Sequence, residues 1–301
     1  MQALAQWAMR GPVEATLLVV VFGVLSWYLP PLAYLASAVV ALLAMQLDAG
    51  RALGVTAAAT AALSLLGLVL LGSALPGLAG ALLTLVPVAV LGGLVRRQGT
   101  LAAGLIGTGV LGMALALAGW LLPADPQQWW LEHLRQFLEQ ALGSAAVDEM
   151  PPAELQALAT MLPGLIGLMG GVGTFISLML GRWWQALLYN PGGFRRDFHA
   201  LSIGRGLALA LVVFAALGVA GVEIAAGVVL AGAAAAMFHG LAIVHALAAK
   251  LPRGQGIWWL VPFYALLVFM LPYLGLMLAV AGVMDTVLDF RRRAAGDGTA
   301  D

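Results

Sequence analysis

A helix that crosses a lipid bilayer needs about 20 consecutive apolar residues. From Pro12 to Leu288 one such run follows another, parted only by short polar or Pro/Gly punctuation. Only 9% of the residues are charged and 62% are hydrophobic, with a mean hydropathy of +1.00, whereas a soluble domain carries about 25% charged residues. So few charges cannot cover a water-facing surface. The outside of the fold must meet lipid, where every backbone polar group has to be satisfied internally, and helices do that within one segment.

The apolar runs cover residues 12–29, 31–47, 52–74, 78–95, 100–122, 155–181, 206–221 and 223–248. A last stretch, 257–288, would be roughly 48 Å long as one helix, too long for one comfortable span, and Pro272 near its middle divides it in two. The expected fold is therefore an all-α polytopic transmembrane bundle of about eight to ten membrane helices. Residues 1–290 form its single domain, and the polar residues 291–301 are expected to be a disordered tail. Arg10, the apolar run from Ala15 and Ala36-Ser37-Ala38 together resemble a cleavable leader. The small-residue triplet lies inside the second apolar run, which favours a retained membrane segment.

With the N-terminus placed inside and every run crossing, all of the 14 Lys and Arg except Arg135 fall on the cytoplasmic side. That is the positive-inside pattern. It predicts a bacterial inner-membrane protein with both termini cytoplasmic. Segment 123–154 then lies outside, and the basic loop 182–205 lies inside.

Asp125-Pro126 is an N-cap followed by a first-turn proline. After it Trp130, Leu134, Phe137, Leu138, Ala141 and Leu142 recur at helical spacing opposite Glu132, Gln136, Glu139 and Gln140. This is an amphipathic helix of the outer interface, with Trp129, Trp130, Leu134 and Phe137 as its anchor or as the underside of a lid. In loop 182–205, Arg182, Arg195, Arg196 and Arg205 are candidates to meet a cytoplasmic partner or lipid headgroups.

Polar residues that could line a ligand cavity between helices are Gln46, Thr60, Ser64, Thr84, Thr108, Thr174, Ser177 and His239. Pro87 with Gly92-Gly93, Pro163-Gly164 with Gly170-Gly171, and Pro262 with Pro272 could break helices, as transporter sites often do. His239 and His245 are six residues apart and do not share a helix face. Asp285 and Asp289 read as groups at a helix end. Small residues recur every fourth position at Gly104/Thr108/Gly112, Gly173/Ser177/Gly181, Gly227/Ala231/Ala235 and Gly232/Ala236/Gly240. Such rows allow close helix approach, within one chain or across a homodimer.

The chain has no Cys and no net charge. That removes disulfides and thiolate sites, and global charge indicates no nucleic-acid partner. No nucleotide loop, metalloprotease motif or nucleophile elbow occurs, so no cofactor, metal or catalytic residue is expected.

Two stretches together carry a family resemblance. One is Met9-Arg10-Gly11-Pro12, Pro30-Pro31-Leu32-Ala33 and Asp48-Ala49-Gly50-Arg51-Ala52-Leu53-Gly54. The other is Gly181-Arg182-Trp183-Trp184-Gln185, Leu188-Tyr189-Asn190-Pro191-Gly192-Gly193-Phe194 and Phe198. With these the chain resembles the DUF2232 (YybS-like) bacterial membrane proteins, themselves distantly similar to the substrate-binding S components of energy-coupling-factor (ECF) vitamin transporters. The resemblance implies an S-component-like core with an outward-opening ligand cavity, and it carries over no site residue. Small-molecule binding or transport is the leading expectation. A scaffold docking a partner through loop 182–205 is the alternative, and an intramembrane lipid-acting enzyme a further one.

Overall fold

Alanine and glycine make up half of α13 (Glu223–Ala248), the most deeply enclosed long helix in the computed structural model. The structure describes residues 1–47, 49–252, 255–291 and 293. Among these the chain is 86% helical and has no strand.

The other helices are α1 (Gln2–Ala8), α2 (Pro12–Ser26), α3 (Leu32–Gln46), α4 (Ala49–Leu71), α5 (Leu75–Gly80), α6 (Val86–Gln98), α7 (Leu101–Leu121), α8 (Pro126–Leu142), α9 (Ser144–Asp148), α10 (Pro152–Tyr189), α11 (Gly193–His199), α12 (Gly204–Val219), α14 (Gln255–Phe269) and α15 (Leu271–Leu288). A π-helical turn, Ala81–Leu85, joins α5 to α6 as one continuous rod.

Among the described residues six rods are long and apolar enough to cross a membrane: α4, α5–α6, α7, α10, α13 and α15. α11 and α12, bent by 42° at their junction, would make a seventh together. The expected eight to ten is thus reached only by adding α2, α3 and α14, apolar but 15 residues each. At 1.5 Å per residue these rise about 22 Å, short of the roughly 30 Å hydrocarbon layer. Pro30-Pro31 stops α2 early, and the expected break near Pro272 falls at Met270.

α10 runs between α3 on one side and α7 and α13 on the other; α2, α4 and α6 complete the N-terminal side, α12 and α15 the other. Lipid gives no hydrophobic drive between helices, so close packing must hold them. A Cβ added at Gly164 would lie 2.5 Å from the Gly227 carbonyl oxygen, and one at Gly112 would lie 2.9 Å from that of Gly167. A Cβ at Gly240 would overlap the Leu278 carbonyl, and one at Gly282 that of Ala236. Residues of the small-residue rows thus make close helix contacts within the chain, and half-buried Gly173 packs on Tyr34.

α8 starts as its cap predicts, with Asp125 Oδ1 accepting from Gln128 N at 3.0 Å. Its inward face is Trp130, Leu131, Leu134 and Leu138, which with α9 and the first turns of α10 form a small separate core. Phe137, expected on that face, is 66% exposed, and Trp129 stacks on His133 at 3.8 Å. The α8 end also holds Trp130 Nε1–H donating to Gly119 O (2.7 Å) and Gln127 bonded to Glu223 (2.6 Å).

The opposite end collects the basic residues. There Arg96 donates to Leu47 O. Arg182 pairs with Asp197 at 2.5 Å and also bonds Gln185. Arg291, expected to begin a loose tail, is instead bonded into the bundle. Arg292 and residues 294–301 of that expected tail lie outside the described residues.

Candidate functional site

Thr84 Oγ1–H donates to Gly80 O at 2.6 Å across the π-helical turn. A π turn carries one extra residue and displaces the side chains around it, and such turns are frequent at functional sites. Here Leu82, Leu83, Thr84 and Pro87 form one wall of a cleft of about 430 Å³. α7 supplies Leu111, Gly112 and Leu115, and α10 supplies Leu165, Ile166, Met169, Gly170, Gly171 and Thr174. The lining is almost wholly apolar, and it draws on the middle of all three rods. Met169, Leu82 and Ile166 are exposed at its mouth, so the cleft opens sideways, towards lipid. Gly170 has nothing within 4 Å of where a Cβ would project. α8 meets α7 at Gly119 and packs on Leu155, Ala159 and Leu162 of α10, about one turn beyond Leu115 and Ile166. It therefore flanks the cleft and does not line it.

Of the eight residues expected to line a cavity, this cleft brings together Thr84 and Thr174. Thr60, Thr108 and Ser177 donate their hydroxyls to Thr56 O, Leu105 O and Gly173 O of their own helices. Back-bonding of this kind satisfies the hydroxyl proton in an apolar setting, as it does for Thr84, but unlike Thr84 these three do not line the cleft. Ser64 abuts Gly77 in the α4–α5 contact, and Gln46 ends α3 beside Leu47.

His239 is fully buried elsewhere, in a charged cluster the sequence did not announce. Its Nε2 lies 3.0 Å from Asp285 Oδ2, which also accepts from Arg291 Nη2–H at 2.9 Å. The same Arg291 nitrogen is 3.3 Å from His239 Nε2. Arg291 Nη1–H donates to the carbonyls of His199 (2.7 Å) and Leu201 (3.0 Å). Local geometry makes this reach possible. Asp289 closes α15 in the left-handed conformation (φ 49°), and the reversed chain returns Phe290 N–H to Asp285 Oδ1 at 2.8 Å. The Gly240 and Gly282 contacts let α13 and α15 approach closely enough for His239 to meet Asp285. One clasp thus joins α13, α15 and the α11–α12 junction. The only sequence signal was two ionisable residues in apolar helices with an arginine shortly after.

Comparison with protein-family models, curated proteins and solved structures finds no match to this chain. The function must be read from the chain's own geometry.

The basic candidates divide. Arg182 is engaged by Asp197 and Gln185, and Arg196 by Asn190 Oδ1 at 3.2 Å. Arg205 is exposed, and Arg195 lines a second cleft at the basic end. Among the described residues no group of three His, Asp or Glu is arranged to hold a metal ion.

Proposed function

We propose that this is an integral protein of the bacterial inner membrane that binds, and in an S-component-like manner moves, an apolar or weakly polar small molecule drawn from the bilayer. The observation that carries this reading is the cleft at the π-helical turn. It lies in the middle of three packed rods, opens towards lipid, and pairs extensive apolar wall with the polar side chains of Thr84 and Thr174. Binding sites are commonly concave, mostly apolar and orientated by few polar groups, and interrupted helices near the bilayer midplane are where transporters place them. Thr84 already donates within its helix, so it offers a ligand mainly an acceptor. The ligand is therefore largely apolar with one donor group.

The basic end is cytoplasmic in this reading, and α8 lies at the outer interface beside the cleft's outer rim. The charge distribution supports that orientation.

The test is native mass spectrometry of the detergent-purified chain, with extraction and identification of co-purified compounds. Gly170→Leu fills the cleft where nothing stands in the way, and Gly54→Leu, also facing open space, is the control. A stoichiometric compound kept by the parent and Gly54→Leu but lost from Gly170→Leu supports the reading. Equal retention by all three, or bulk lipid alone in the parent, overturns it.

A further inference from the structure

A second cleft, of about 670 Å³, lies at the basic end between α11, the end of α13 and the start of α14. Its floor is apolar: Phe194 and Phe198 from α11, Ile257 and Leu260 from α14. Arg195 and His199 stand on one rim and His245 on the other. Among the described residues no carboxylate lines it, and Asp197, the acid of α11, is turned to Arg182. Beside it Trp258 and Trp259 are 76% and 66% exposed. Exposed tryptophans at the start of an apolar helix mark the headgroup level of a bilayer. The cleft therefore sits where lipid phosphates lie, with an apolar floor leading towards the acyl layer.

We propose that this cleft binds one anionic phospholipid of the adjoining leaflet, its phosphate against Arg195 and His199 and the start of an acyl chain over Phe194, Phe198 and Ile257. The proposal is independent of the π-turn cleft, which involves other helices.

Two further observations support it. The rim is built before any lipid arrives. Arg291 holds the His199 carbonyl, His245 Nδ1–H donates to Leu241 O at 2.9 Å, and Tyr264 Oη lies 3.1 Å from His245 Nε2. His245 is thereby fixed as a wall against Phe198, 5.2 Å away edge to face, and Arg195 and His199 remain as donors. The rim also lacks an anion. Burial first, then the charges of Arg195 and His245, makes His199 harder to protonate than an ordinary histidine. A phosphate placed there would reverse the electrostatic part of that penalty. A free anion would satisfy the rim but leave the apolar floor unused, so a phospholipid fits better than inorganic phosphate.

The full-length protein in neutral detergent, offered phosphatidylglycerol or phosphatidylcholine in mixed micelles, tests this by native mass spectrometry. One phosphatidylglycerol should be retained in preference to phosphatidylcholine. Removing each charge should weaken retention roughly fivefold, so Arg195→Gln, and more so Arg195→Gln with His199→Gln, should lose the preference. Arg196→Gln, whose side chain bonds Asn190, should keep it. Ile257→Trp, at an exposed position, should block the floor and reduce retention while melting normally. The proposal is overturned if phosphatidylglycerol has no advantage in the parent or if Arg195→Gln retains it unchanged. It is equally overturned if 10 mM inorganic phosphate, about the scale of a weak anion site, raises the melting temperature as much as the lipid does.

Discussion

His239 and Asp285, 46 residues apart in sequence, meet inside the bundle with Nε2 and Oδ2 3.0 Å apart, and Arg291 closes on the same oxygen. Removing one partner of a buried pair strands the other charge, at a cost of about 3–5 kcal/mol. Asp285→Asn keeps the shape and removes the charge, and should cost about 3 kcal/mol on that basis. Arg291→Met added to Asp285→Asn should recover part of the loss, because no stranded cation then remains. Unfolding by graded denaturing detergent measures both. If Asp285→Asn unfolds with the parent, the cluster does not hold these helices together.

Gly240 faces the Leu278 backbone so closely that a methyl group has no room. Gly240→Ala must therefore push α15 off α13, at a cost of about 1–3 kcal/mol for overpacking. Because the same contact delivers Asp285 to His239, the effects of Gly240→Ala and Asp285→Asn should be less than additive. Gly54→Ala meets open space and should be neutral or slightly stabilising, since alanine suits a helix better than glycine. Thermal midpoints in one detergent compare the parent, the three single variants and the Gly240→Ala/Asp285→Asn double variant, and equal midpoints for the two alanine variants would exclude the close-contact argument.

The helices were readable because each is dictated locally. Apolar runs, Pro30-Pro31 and the Asp125-Pro126 cap place α2, α3 and α8 within a few residues of where they lie. The small-residue rows likewise marked α7, α10 and α13 as packing helices. Sites were less readable, because they depend on which helices become neighbours. Nothing in spacing tells that Thr84 and Thr174 share a cleft while Thr60 lies outside it. Phe137 fits the periodicity of α8 yet is exposed, since α10 meets that helix along the line of Leu134 and Leu138. Asp285 read as a helix-end group until the left-handed Asp289 turned Arg291 back upon it.

His199 gives the basic end a pH dependence with a definite sign. In the fold it binds a proton less readily than the ordinary histidine value of 6.5, through burial and then the charges of Arg195 and His245. The unfolded chain therefore takes up this proton at a higher pH than the folded chain. Stability is lost as pH falls below about 6.5 and levels off once the folded form is protonated too. His199→Gln should flatten the fall of the melting midpoint between about pH 7 and pH 5 while leaving its value above pH 7 nearly unchanged. An identical slope in parent and variant would assign the pH dependence to other groups.

Whether the short helices cross is decidable because the chain contains no cysteine, so any cysteine introduced is the only one present. Tyr28 and Val219 are 72% and 92% exposed, at the ends of α2 and α12 away from the basic residues. Gln140 is exposed on α8, and Gln98 and Arg205 are exposed at the basic end. A membrane-impermeant maleimide on intact cells should label Gln140→Cys, Tyr28→Cys and Val219→Cys. Gln98→Cys and Arg205→Cys should label only after permeabilisation. A 15-residue helix can still span if the bilayer thins locally or flanking residues reach the interface, at fractions of a kcal/mol per Å of mismatch. Labelling of Tyr28→Cys from outside would mean that α2 does so. Protection of Tyr28→Cys beside labelled Gln140→Cys would make α2 and α3 re-entrant and leave the longer rods as the spans. Labelling of Arg205→Cys from outside, with Gln140→Cys protected, would invert the whole protein and move both clefts to the opposite leaflets.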